Sequence, residues 1–149
     1  MNRRDVIGIT SALSLAGVAS AVLADAPAAP GHEHHGSGMR YADLIAASSH
    51  CVMTGDACLT HCLTMLGEGD KELVSCARTA RDIIAACTAL RELAAANSPH
   101  VQALSKVVSA MCADCEAECR KHEQHAVCKD CETACHDCKA LCDKAAMAA

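Results

Sequence analysis

The sequence predicts an all-α fold: an antiparallel, up-down four-helix bundle with a cysteine-lined core. Three observations predict it. Four stretches carry helical periodicity. The connections between them are short, which makes successive helices antiparallel neighbours. Thirteen cysteines fall at seam positions of those stretches, so the face that turns inward is the face that carries sulfur.

The first helix runs from Arg40 to Leu66, with Gly67 as its stop. The second starts at Asp70, an N-cap residue, and runs to Asn97. Ser98-Pro99 then supplies a cap and a proline at the first helical position, which opens the third helix; this one runs to Lys121. His122–His125 is a short polar connection, and the fourth helix continues to Ala146. Within the last two helices the pattern C-x-D-C-E-x-x-C occurs twice, at Cys112–Cys119 and at Cys128–Cys135.

Two segments precede the bundle. Residues 1–24 read as an export signal of the twin-arginine type. They combine Asn2-Arg3-Arg4-Asp5-Val6-Ile7 with an apolar run, Val6–Leu23, and with small residues before a cut near Ala21 or Ala24. The run is short and contains Thr10, Ser11, Ser14 and Ser20, which argues against a permanent anchor. No membrane association is expected after signal removal. Twin-arginine signals carry folded proteins, and folding first would keep thirteen thiols from random pairing in an oxidising compartment. The expected location is therefore exported, in the periplasm or an internal-membrane lumen of a Gram-negative bacterium. Residues 25–39 form a Pro/Gly/His linker, and residues 40–149 form the bundle.

Composition restricts the function. The 149 residues include nine His and six Met, no Trp, no Phe and one tyrosine, Tyr41. Bulky apolar residues are few, so something other than hydrocarbon must fill part of the core. The formal charge is −5, and no basic patch with interleaved aromatics occurs, which excludes a nucleic-acid partner. A cationic metal suits that balance. No thioredoxin-like βαβ pattern surrounds any C-x₂-C, and no Ser/His/Asp or paired-carboxylate constellation stands out. The chain is not expected to be an enzyme.

The cysteine spacing points to the chemistry. The fourth helix carries Cys128, Cys131, Cys135, Cys138 and Cys142, a 3-4-3-4 alternation. The third carries Cys112, Cys115 and Cys119 by the same rule. The first carries Cys51, Cys58 and Cys62, and the second Cys76 and Cys87. At roughly 100° per residue, each set lies within an arc of about 80°. Leu44 and Met65, Leu73, Ile83 and Leu90, and Leu104 and Val108 share those faces.

Cysteine can serve as a small buried hydrophobe, but thirteen at seam positions exceed that use. Structural disulfides are an alternative for an exported chain. The odd number leaves one unpaired, and neighbours three or four apart on one helix fit the bond's geometry poorly; cross-core pairs remain open. Zinc or other soft-metal sequestration is a further alternative. Here C-x₂-C sits inside a sustained heptad rather than on loops, unlike a zinc knuckle or an Fe–S motif. Cu(I) fits best. It is soft and prefers thiolate and thioether ligands. One Cu(I) per thiolate is neutral, whereas a tetrathiolate Zn(II) site carries about −2 and is costly to bury. The stripe from Cys128 to Cys142 spans about 21 Å, room for many ions per chain.

The topology brings Cys62, Cys76, Cys119 and Cys128 to one end of the bundle, with His61 and Met65 beside them. Leu90, Val101, Leu104 and Val108 gather towards the other. Copper is therefore expected to enter at the His61/Met65 end.

The segment Ser48-Ser49-His50-Cys51, then Cys58-Leu59-Thr60-His61-Cys62 and Met65-Leu66, followed by the C-x₂-C-x₃-C repeats, resembles the bacterial copper storage proteins. The resemblance spans nearly all of residues 40–146. It implies a four-helix bundle that binds many Cu(I) ions, with all thirteen cysteines as ligands and His61 and Met65 at the open end. It also implies a homotetramer. The exported branch of the family carries twin-arginine signals and is known from methane-oxidising bacteria, where its copper is thought to supply particulate methane monooxygenase. The expected partners are thus copper ions and copper donor and acceptor proteins. Glu68 and Leu73 stand where family members can have further Met residues.

Overall fold

Four α-helices account for most of residues 39–148, the part of the chain that the computed structural model describes. They are α1 (Ala42–Gly67), α2 (Val74–Ala95), α3 (Val101–Arg120) and α4 (Ala126–Met147). A single 3₁₀ turn, Lys71–Leu73, leads into α2. The signal and most of the linker expected from the sequence lie outside the described residues. Among the described residues, no helix is long and apolar enough to cross a membrane.

The connections explain the helix ends. α1 runs through Gly67, and its stop is Gly69, the glycine with positive φ (99°). There the Asp70 N–H donates to the Met65 carbonyl at 3.0 Å and the Gly69 N–H to Leu66 at 3.1 Å, the paired bonds of a Schellman stop. The expected stop at Gly67 was two residues early. Asp70 does act as a cap, accepting the Glu72 N–H at 3.0 Å, but the turn it opens is 3₁₀. α2 ends in the same manner with Asn97, φ 49°, in the left-handed position. The Ser98 N–H reaches the Leu93 carbonyl at 2.9 Å. Ser98, Pro99 and His100 make a turn in which the Ser98 hydroxyl accepts the His100 N–H at 3.3 Å, so α3 starts at Val101. The loop before α4 is tied by His122 N–H to Cys119 carbonyl and His125 N–H to His122 carbonyl, both 2.9 Å.

α1 packs on α2 and α4, and α3 packs on the same two, closing a ring of antiparallel neighbours. Arg120 on α3 bridges Glu116 at 2.6 Å and Glu132 of α4 at 2.8 Å. Being exposed to water, this link orients the helices more than it stabilises them. The stabilising core is the seam. Leu73, Ile83, Leu90, Val101 and Val108 are fully buried and Leu44 nearly so; each such side chain contributes about 1.5–3 kcal/mol. Leu104, expected inward, is only half-buried, and the adjacent Ser105 takes the fully buried position. α1 and α2 approach closely at Gly55, where a Cβ would fall 2.8 Å from Ile83 Cδ1. Hydrocarbon thus fills only part of the interior.

Candidate metal centre

Sulfur fills the rest. All thirteen cysteines are free and wholly buried. The 3-4 spacing turns them to the bundle axis from all four helices, and antiparallel packing interleaves them.

Four overlapping groups run along the axis, with the sulfurs of each group within 4.8 Å of one another. Nearest the α1–α2 and α3–α4 loops are Cys58, Cys62, Cys76 and Cys128. Next come Cys58, Cys119 and Cys131, then Cys115, Cys131 and Cys135, then Cys51, Cys87, Cys112 and Cys138. Closer pairs stitch the groups together. Cys58 and Cys76 lie 3.6 Å from each other, as do Cys76 and Cys119. Cys115 is 3.9 Å from both Cys119 and Cys131. Cys51 is 3.7 Å from Cys135. Cys142 closes the far end, 4.0 Å from Cys138. The result is one continuous column of sulfur.

The thiols share protons. Cys51 is held down to about 5, first by the Cys112 thiol and then by Cys135. Cys115 is lowered by Cys119, Cys131 and Cys135, and Cys138 by Cys112 and Cys142. Their neighbours hold protons more tightly: Cys87 and Cys135 are raised, each with Cys112 as the leading cause. A buried thiolate is stabilised where adjacent S–H groups donate to it, and those donors then resist ionising. At the loop end Cys62 is raised, mainly by burial and next by the charge of Cys58.

The loop end also carries the other expected ligands. His61 is half-buried, and its Nε2 is enclosed without a hydrogen-bond partner. Buried polar atoms are seldom left so. Met65 is half-buried and packs on the core edge. Two histidines not expected to be ligands join them. The His125 ring centroid lies 4.6 Å from that of His61, and His122 is buried at 7% exposure. The signal for them was in the register: His122 follows Cys119 by three residues and His125 precedes Cys128 by three, so both continue the stripe into the loop. His50 and His136 are exposed, and Glu68 is exposed while Leu73 is wholly buried.

Chemically, the column suits a soft ion. A thiolate–metal bond is about 2.3 Å for Zn, so sulfurs up to about 4.6 Å apart are within reach of one ion of similar size.

Comparison with known proteins agrees with this geometry. The copper storage protein profile matches residues 37–147. No curated protein sequence matches significantly. Among solved structures, the apo form of copper storage protein 3 from Bacillus subtilis is 27% identical, with a TM-score of 0.63, covering 70% of this chain and 97% of that one. The Cu(I)-bound form is 26% identical (TM-score 0.62; 69% and 94% covered). A cytosolic copper storage protein from Streptomyces lividans, loaded with five coppers, is 28% identical (TM-score 0.65; 73% and 93%). A copper storage protein of that organism with ten copper equivalents is also 28% identical (TM-score 0.64; 74% and 88%).

One expectation is corrected by these findings. Export to a periplasm or internal-membrane lumen does not hold, because the Streptomyces lividans relative with this fold is cytosolic. The expectation rested on residues 1–24, which lie outside the described residues, and the clustered thiols suit a reducing compartment, which keeps them unpaired. The profile covers the whole bundle, and the relatives share its architecture: the chain belongs to the copper storage protein family.

Proposed function

We propose that this chain stores and buffers many Cu(I) ions, with the thiolates of all thirteen cysteines as ligands. The supporting observation is the unbroken sulfur column, in which each thiol lies within reach of the next. Relatives bind Cu(I) and take up five and ten coppers. One Cu(I) per thiolate leaves the interior neutral, which a buried array requires. Ions enter at the loop end, where His61 and Met65 offer an imidazole and a thioether, ligands suited to copper. No catalytic step is part of this role.

The stored copper is available to copper-requiring enzymes through donor and acceptor proteins, and particulate methane monooxygenase is the recipient that the family resemblance implies. The same resemblance implies a homotetramer, which light scattering on the purified chain tests directly.

An anaerobic Cu(I) titration of the reduced chain against a chromophoric chelator tests the central reading, with far-UV circular dichroism alongside. The expected result is uptake of roughly ten or more Cu(I) per chain, with helix already present in the apo form. Saturation at about one to four ions, or helix that forms only with metal, would overturn it.

A further inference from the structure

We propose that Ser48 and Ser105 limit the copper column towards its far end: they stand at ligand positions with a hydroxyl in place of a thiol, and so set how many Cu(I) ions one chain holds. This rests on the storage reading above.

The register carries the inference. The buried residues include Leu44, Ser48, Cys51, Gly55, Cys58 and Cys62 on α1, and Val101, Ser105, Val108, Cys112, Cys115 and Cys119 on α3. Both serines therefore occupy the same stripe as the cysteines, and both are wholly buried. The α1–α4 register that sets Cys51 against Cys135 and Cys58 against Cys128 sets Ser48 against Cys138 and Leu44 against Cys142, and the α1–α3 register that sets Cys51 with Cys112 and Cys58 with Cys119 brings Ser105 to the Leu44 and Cys142 level. The Ser48 hydroxyl lies 3.9 Å from Cys138 Sγ, which is itself 4.0 Å from Cys142. The Ser105 hydroxyl is buried with no hydrogen-bond partner. Leu44, Ala94, Val101 and Ala145 at this end of the bundle are all buried hydrocarbon. The hydroxyls thus stand where the thiol column gives way to hydrocarbon.

Serine keeps the shape of cysteine but changes the donor. A neutral hydroxyl is hard, and a soft ion passes it over for thiolate. A thiolate at the end of the column has copper on one side only and retains more negative charge, so an O–H directed at it is favourable. Ser48 is placed to direct its hydroxyl at Cys138, one thiol in from the terminal Cys142. Ser105 has no acceptor among the thiols, and the Cys142 thiolate at its level is the acceptor that loading would create.

The test is an anaerobic Cu(I) titration of the full chain and of Ser48→Cys, Ser105→Cys and the double variant, with circular dichroism as the check on folding. Each added thiolate is expected to take up about one more Cu(I), while Ser48→Ala/Ser105→Ala gains none. A folded double variant that saturates with the parent, the parent holding roughly ten or more ions, overturns the inference and leaves the storage reading intact. If the double variant does not fold, the single variants decide: an added ion in either supports the inference, and none in both overturns it. A parent that saturates at about four ions or fewer removes the storage reading and this inference with it.

Discussion

The imidazoles of His61 and His125 face each other across the loop end of the bundle, with ring centroids 4.6 Å apart and planes tilted by 51°. One ring sits near the end of α1 and the other just before α4. Buried His122 and half-buried Met65 belong to the same end of the bundle as Cys62, Cys76, Cys119 and Cys128.

Removing donors there should change rates and spare capacity. In His61→Ala/Met65→Ala, Cu(I) uptake and withdrawal by a chelator are expected to slow, roughly tenfold per lost donor if each is worth about 1.4 kcal/mol in the passage step. Total copper bound stays the same, because the column is untouched. Stopped-flow transfer kinetics check this, and unchanged rates would remove these residues from the path.

Loading should release protons. Cys58 is pushed up to about 12: the Cys119 thiol pulls it down, but Cys128, Cys131 and burial outweigh that pull. Cys128 is pushed up to about 11, where Cys76 and burial outweigh the opposing Cys58 thiol. Both are thiols at neutral pH, and Cu(I) must displace their protons, so apparent affinity rises with pH. Pulsing Cu(I) into weakly buffered apo protein should acidify the solution, and a pH-independent affinity would contradict it.

The apo fold responds to pH in the opposite sense. A thiol whose folded value lies above its unfolded value of 9.0 contributes stability that is complete below 9.0. For Cys58 that contribution is lost as pH rises towards about 12. Chemical denaturation of apo protein across this window should show a falling midpoint, and copper-loaded protein should not follow it, since its sulfurs no longer carry protons.

Copper should stabilise a bundle that is already formed. Hydrocarbon layers at Leu73, Ile83, Leu90 and Val101 and the stops at Gly69 and Asn97 do not depend on metal. Loading is expected to raise Tm with no gain in helix signal. An ion at a hundredfold its Kd adds about 2.7 kcal/mol per site. A large gain in ellipticity on loading would argue for a metal-folded chain instead.

Gly55 tests the α1–α2 contact. In Gly55→Ala the new Cβ falls 2.8 Å from Ile83 Cδ1 and 2.9 Å from Ile84 Cγ1. The helix-propensity gain is about 1 kcal/mol, and overpacking costs about 1–3 kcal/mol. Ile83 is wholly buried and has little room to shift, so a net loss of about 1 kcal/mol is expected in urea denaturation. A net gain would mean that the α1–α2 interface yields.

Much of the fold and the site was legible along the chain. Helix periodicity and the 3-4 cysteine spacing share one cause, the seam of a bundle. A residue's position on its own helix therefore announced both its burial and its companions on that face. The C-x-D-C-E-x-x-C repeat marked α3 and α4 for the same reason. Asp70 was readable as a cap because capping is local. Gly67 was misread as a stop because two glycines stand two residues apart, and only the backbone angle at Gly69 tells which one turns.

The tertiary structure decided what depends on neighbours from other helices. It determined which sulfurs meet, since a stripe on one helix does not specify its register against another. It placed His125 against His61, residues that no local spacing relates. Ser105, by contrast, was legible on the stripe, since it precedes Cys112 by one heptad and lies about 20° from it on the helix, where Leu104 lies about 80° away. The sequence by itself determined that sulfur would line a helical core; packing alone decided that the sulfur forms one column, with His61 and His125 at its loop end and buried hydrocarbon at the other.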